Sequence, residues 1–203
     1  MSQSMKTHWE KVYQTKSPNE VSWTQETPTT SLKLIQSFQL KTSAKIIDVG
    51  GGDSNLVDHL LERGFENITV LDISEKALEK AQKRLGSRAK QVNWIASDIN
   101  NFKPEHSFDL WHDRAAFHFL TSKEQIKKYC SLATSSVNKY LVIGAFSKDG
   151  PVKCSGLEIR QYDSDALSNA FSSGFKTIQS LTEDHTTPFK TKQNFIFSSF
   201  EKK

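Results

Sequence analysis

Four groups of residues carry most of the chemistry this chain could perform. They are Asp48 ahead of Gly50-Gly51-Gly52-Asp53-Ser54, Asp72-Ile73, Asp98-Ile99, and the run Trp111 to Phe119. Glycine tolerates positive φ and lets a ligand touch the backbone, so the first group reads as a tight turn beside a ligand. A carboxylate just ahead of that turn repels a pyrophosphate and suits a cationic or amine-bearing ligand. Asp72 lies twenty positions past Gly52, a spacing at which an acid accepts both hydroxyls of a ribose. Asp98 is placed to accept from an exocyclic amine, with Ile73 and Ile99 on either side of a flat base. The implied ligand has an adenine, a free ribose and a positively charged tail. An acid after a strand is often only a turn former or helix cap. The specificity lies in the ordered set, not in any one acid.

The run from Trp111 to Phe119 is the candidate for the reacting end. It holds His112, Asp113, Arg114 and His118. Histidine titrates near neutrality and can take a proton. Arginine can clamp a carboxylate or phosphate with its planar fork. The plainer alternatives are that Arg114 pairs with Asp113 to brace a loop and that Phe117 and His118 pack. The glycine-bracketed loop Lys148 to Gly156 could close over a substrate, with Cys154 in it as an inert small residue. Glu183 and His185 fall in the connection of a final hairpin, as a supporting pair or an exposed turn. Trp9 and Trp23 lie on an N-terminal segment with no strand of its own. Such a segment could fold over the ligand as a lid, where aromatic faces attract a sulfonium or ammonium cation. The alternative is that they anchor the segment to the core. No cluster has metal-ligand spacing, so no metal is expected.

The elements that must position these groups follow from periodicity. An amphipathic helix spans 5–14, with Met5, Trp9, Val12 and Tyr13 on one face. A second helix, capped at Thr29 or Thr30, carries Leu32, Leu34, Ile35 and Phe38. Strand and helix then alternate: strand Lys45–Val49, helix Ser54–Arg63, strand Ile68–Asp72, helix Glu75–Leu85 with Ser74 as N-cap. Next come strand Gln91–Ala96, strand Phe108–His112, helix Lys123–Ser135, strand Lys139–Phe146 and helix Ser164–Phe171. Alternation of this kind gives a parallel sheet covered on both faces, with ligands at the carboxyl ends of its strands. The last strands, Lys176–Leu181 and Asn194–Phe200, are joined by too few residues for a helical crossover. They are expected to form an antiparallel hairpin with one strand inserted in the sheet edge, giving seven strands with the last reversed.

At 203 residues the chain has room for one domain with a sizeable core. It divides into an N-terminal helical lid (1–40), a ligand-binding core (41–150) and a substrate-side C-terminal part (151–203). The net charge of +4 comes from scattered lysines rather than a basic stripe, so no nucleic-acid footprint is expected. No apolar run is long enough for a membrane span. The segment from Met1 to Lys6 lacks a signal-peptide core. Two cysteines, Cys130 and Cys154, form no disulfide framework, which suits a reducing cytoplasm. The expected state is a cytoplasmic monomer or weak dimer.

The order Asp48-x-Gly50-x-Gly52-x-Ser54, Asp72-Ile73, Asp98-Ile99 and Phe108-Asp109 resembles the class I S-adenosylmethionine-dependent methyltransferases. The resemblance covers roughly residues 30–150. It implies a three-layer Rossmann-like sandwich on a seven-stranded, mostly parallel sheet. It implies S-adenosylmethionine as cofactor and S-adenosylhomocysteine as product. Asp48, Gly50 and Gly52 would hold the methionine part, Asp72 the ribose and Asp98 the adenine amine, with Ile73 and Ile99 as its neighbours. Ser54 stands where a third glycine is frequent, and its small side chain keeps the turn feasible. His8-Trp9-Glu10-x-x-Tyr13 and Val21-Ser22-Trp23 resemble the lead-in of small bacterial members, which places Trp23 near the cofactor. A small molecule is the expected methyl acceptor. A protein lysine is the alternative, as is cofactor binding without catalysis. A nicotinamide-binding enzyme fits less well: the G-x-G-x-x-G/A fingerprint would put Asn55 at its last small residue and has no need of Asp48.

Overall fold

A computed structural model describes residues 2–203. Helix α1 (Ser2–Thr15) and α2 (Thr29–Ser37) precede β1 (Lys45–Val49), α3 (Leu56–Glu62), β2 (Asn67–Asp72), α4 (Glu75–Leu85) and β3 (Val92–Ala96). Then come β4 (Phe108–Arg114), α5 (Lys123–Ser136), β5 (Val137–Phe146), a short ribbon of β6 (Lys153–Cys154) and β7 (Leu157–Glu158), α6 (Ser164–Phe171), β8 (Phe175–Thr186) and β9 (Lys192–Lys202). The main sheet has seven strands in the order β3-β2-β1-β4-β5-β9-β8. Strands β1 to β5 pair in parallel, and β9 runs antiparallel to both neighbours. The expected seven-stranded sandwich with a reversed last strand is the fold found.

Each sheet face has its own apolar layer. Ile46, Leu110 and Val142 meet α2, α3 and α4 through Leu32, Ile35, Leu56, Leu60 and Leu78. Ile47, Trp111 and Leu141 meet α5 and α6 through Tyr129, Ala133, Leu167 and Phe171. This is the two-residue alternation of a doubly covered sheet. It sends Asp48, His112 and Arg114 to the α2–α4 side, and Asp113 to the α5 side.

Two expectations change. Strand β4 continues two residues past the expected end at His112, to Arg114, so Asp113 and Arg114 are strand residues with alternating directions, not the start of a loop. The final hairpin is far longer than expected, with only 187–191 outside the strands. Glu183 and His185 therefore lie within β8. The edge strand β8 alternates exposed and half-buried positions and is rich in polar residues, which hides a strand from an apolar-pattern reading.

Candidate active site

The glycine turn is built by contacts that exclude side chains. Gly50 and Gly52 take φ of 67° and 46°. The Gly50 and Gly51 amides both donate to the Leu71 carbonyl at 2.7 and 3.3 Å, which pins the turn to the end of β2. A Cβ on Gly50 would sit 2.5 Å from Ala116 Cβ, and one on Gly52 would sit 2.9 Å from Asp72 Oδ2. Beyond the turn, Ser54 Oγ accepts from the Leu56 amide at 3.1 Å, just ahead of α3. Arg84 braces the outer side, pairing with Asp53 and with Asp58 at 2.8 Å.

These residues border a cavity of about 590 Å³ at the carboxyl ends of β1 to β4. Asp48, Gly50, Ser54, Asp72, Ile73, Asp98, Ile99, Trp23, His112 and Arg114 all line it. Gly52 supports the turn from behind, against Asp72 and the Tyr13 hydroxyl. Asp113 and His118 do not line it.

The acids sit in different environments. Asp48 is paired across the sheet with His112. Its Oδ1 is 2.7 Å from His112 Nδ1, and His112 Nε2 is 2.8 Å from Ser31 Oγ. Both imidazole nitrogens are thus engaged. Asp72 accepts from the Ser74 amide at 2.8 Å. Burial, with Asp48 and Glu10 adding negative charge nearby, pushes its carboxyl up to about 7. Asp98 Oδ1 accepts from the Asn100 backbone and side-chain amides, both at 2.9 Å.

The remaining residues of the Trp111 to Phe119 run separate into scaffold and wall. Asp113 is fully buried on the far face. It accepts from the Ala116 and Phe117 amides at 3.0 Å and from the Tyr129 hydroxyl at 2.6 Å. His118 Nδ1 accepts from the Phe146 amide at 3.2 Å, so the neutral ring carries its proton on Nε2. Burial, together with Arg114, pushes the His118 imidazole down to about 3. Arg114 Nη1 donates to the Trp23 carbonyl at 2.9 Å, and the guanidinium lies 4.9 Å from the Phe195 ring centre.

Helix α1 roofs the cavity. Trp9 packs edge-on against Trp23 at 5.5 Å and Phe119 at 5.2 Å. Sequence reasoning missed what holds this roof down. Glu10 Oε1 accepts from the Glu75 amide at 2.7 Å, and Oε2 from the Lys76 amide at 3.1 Å. An acid from α1 therefore satisfies the free amides at the α4 N-terminus, where negative charge is favoured. No local signal in the sequence marks a cap supplied from 65 residues away. Ser155 on the β6–β7 ribbon reaches His8 of α1 at 3.2 Å. Burial pushes the Cys154 and Cys130 thiols up to about 12, which suits inert packing. Among the described residues, no group of acids, histidines and cysteines could hold a metal ion. No described helix is long and apolar enough to cross a membrane.

The fold is that of the class I, Rossmann-like methyltransferases. The family described as "Methyltransferase domain" matches residues 46–138 of the chain. Over 123 residues, 59% of this chain, it is 26% identical to the mouse eEF1A lysine and N-terminal methyltransferase. That match spans only 17% of the mouse protein. Among solved structures, an S-adenosylmethionine-dependent methyltransferase from Anabaena variabilis superposes with a TM-score of 0.77 at 12% identity, covering 100% of this chain and 95% of its own. The Burkholderia thailandensis 1,6-didemethyltoxoflavin-N1-methyltransferase, solved with 1,6-didemethyltoxoflavin and S-adenosylhomocysteine, superposes at 0.70 and 17% identity, covering 98% and 84%.

Proposed function

We propose that the chain is an S-adenosylmethionine-dependent methyltransferase acting on a small molecule. The observation that carries this reading is the convergence of Asp48, Asp72 and Asp98 on one cavity around the Gly50–Gly52 turn. The residues fit the cofactor. The buried Asp72 carboxyl gains most from two hydroxyl donors, which offset the cost of its charged form. Asp98 lines the cavity with Ile73 and Ile99 and offers an acceptor to an amine. Asp48 offers negative charge to an ammonium group. At the turn, Gly50 keeps its backbone exposed where a Cβ would collide with Ala116. S-adenosylmethionine supplies a methyl group on a sulfonium, and its transfer is an in-line displacement.

The chain's own part is positioning and exclusion of water. The hydrogen-bonded file Asp48–His112–Ser31 holds the Asp48 carboxylate in one orientation. The Trp9, Trp23 and Phe119 rings line the roof and lower the local polarity, and electron-rich ring faces suit a nearby cation. Neither His112 nor His118 has a free basic nitrogen, so the acceptor is best read as one that arrives with a lone pair available. Residues 1–40 supply the lid through α1, 41–150 the cofactor core and 151–203 the acceptor side. A roofed cavity favours a small acceptor. The match to a lysine methyltransferase favours a protein acceptor as the second reading. Radiolabelled methyl transfer into a fractionated lysate separates them. Label among small molecules supports the first reading and label in protein the second; cofactor binding without label removes catalysis.

A further inference from the structure

The cavity's chemistry is lopsided. Its cofactor side carries acids, while the end formed by β4 and the β6–β7 ribbon carries the half-buried cation Arg114 beside the exposed acid Glu158. The other cations bordering the cavity that form bonds are used structurally. Arg84 binds Asp53 and Asp58, and Lys80 donates to the Lys16 carbonyl at 2.6 Å.

Arg114 is held but not satisfied. Nη1 is committed to the Trp23 carbonyl, and Phe195 covers one face of the guanidinium. Nε and Nη2 are buried and have no hydrogen-bond partner. These two nitrogens form one edge of the planar group, with parallel N–H vectors. That edge matches the two oxygens of a carboxylate side-on. Buried donors without acceptors are costly and uncommon in folded proteins. Glu183 exerts the strongest of the negative charges acting on Arg114, yet it forms no ion pair with it, and its own Oε2 is buried without a partner. Trp23 and Cys154 adjoin Arg114, and Phe119 and Leu157 pack in the same apolar cluster as Trp23 on the cavity wall.

We infer that the methyl acceptor is a small carboxylic acid with a flat apolar body, docked with its carboxylate side-on to Nε–H and Nη2–H of Arg114. The carboxylate is the anchor and not the methylated group, because a guanidinium on both oxygens withdraws the electron density a nucleophile needs. The body lies along Trp23, Phe119 and Leu157 and presents a separate nucleophilic atom. This inference rests on the reading that the opposite half of the cavity takes the methyl donor.

The test is calorimetry on the full chain saturated with S-adenosylhomocysteine. The probes are benzoate, phenylacetate and indole-3-acetate, each beside its amide, with phenyl phosphate as a separate arm. At least one carboxylate is expected to bind wild type about 10-fold or more tighter than its amide, the scale of a bidentate charged contact. That preference is expected to vanish in Arg114→Gln and to be reduced in Arg114→Lys, which keeps charge without the fork. No preference in wild type overturns the proposal without relying on any variant. A preference retained in Arg114→Gln also overturns it. Arg114-dependent binding of phenyl phosphate alone overturns the carboxylate assignment. S-adenosylhomocysteine binding is read first and separately. Its failure sinks the cofactor reading, while the same probes titrated without it still report on the Arg114 edge.

Discussion

Asp48 Oδ1 and His112 Nδ1 lie 2.7 Å apart across the β1–β4 pairing, both side chains almost wholly out of solvent. The register that sets Asp48 opposite His112 makes this contact, and Ser31 of α2 completes it from the helix layer. Removing the imidazole leaves a carboxylate buried without its donor. His112→Phe is expected to cost about 2–3 kcal/mol, the range for a hydrogen bond to a charged group. Urea denaturation checks this; an unchanged midpoint would show the contact to be dispensable.

Asp72 works against stability. An exposed aspartate titrates near 4, whereas folding pushes this one up to about 7. Between those values the folded chain holds a proton that the unfolded chain has lost. Stability therefore falls as pH rises from about 4 to about 7. Asp113, pushed up to about 6 mainly by burial, acts in the same sense over a narrower window. Asp72→Asn keeps an acceptor for the Ser74 amide and is expected to stabilise the ligand-free protein at pH 8 by on the order of 2–4 kcal/mol. Thermal melts of both proteins at pH 4.5 and pH 8 (about ±0.2 in pH, a gap that spans the titration) decide it. A wild type more stable at the higher pH would refute the sign.

The same substitution is expected to weaken S-adenosylhomocysteine binding by about 1–3 kcal/mol, since one hydroxyl donor loses its charged acceptor. In wild type, affinity should rise as Asp72 ionises and level off above about 7. Calorimetry at a series of pH values tests the ribose role. Equal affinity in wild type and Asp72→Asn removes that role.

Gly52→Ala combines a strained backbone with a collision. Its φ of 46° is one alanine rarely adopts, and the new methyl would meet Asp72 Oδ2 at 2.9 Å. A loss of about 1–3 kcal/mol in stability is expected from the strained conformation, along with displacement of Asp72. The variant should bind S-adenosylhomocysteine at least about 10-fold less tightly, the equivalent of 1.4 kcal/mol.

Glu10→Gln tests whether α1 is latched. Its two carboxylate oxygens hold the first amides of α4, and a charge at a helix N-terminus contributes about 0.3–1 kcal/mol. The expected outcome is faster hydrogen exchange confined to α1 and the first turn of α4. Uniformly faster exchange would mean global destabilisation instead.

Much of this protein is written locally. Ile46-Ile47-Asp48-Val49 before glycines, with Leu56, Val57 and Leu60 after them, dictates strand, turn and helix whatever the rest of the chain does. The same logic places Asp72 and Asp98 at strand ends, because strands in an alternating pattern run parallel and deliver their carboxyl ends to one edge. Roles along Trp111 to Phe119 were not legible in this way. The period of two puts His112 and Arg114 on one face and Asp113 on the other, but only if β4 runs to Arg114, and its pairing with β5 decides that. Whether a nitrogen is free or engaged depends on partners distant in sequence: Ser31 for His112, Phe146 for His118, Trp23 for Arg114. The sequence determined the layered fold and the order of acids, because backbone geometry and burial act over a few residues. Tertiary structure alone decided which polar atoms were left without partners, because hydrogen-bond satisfaction is a property of the packed interior.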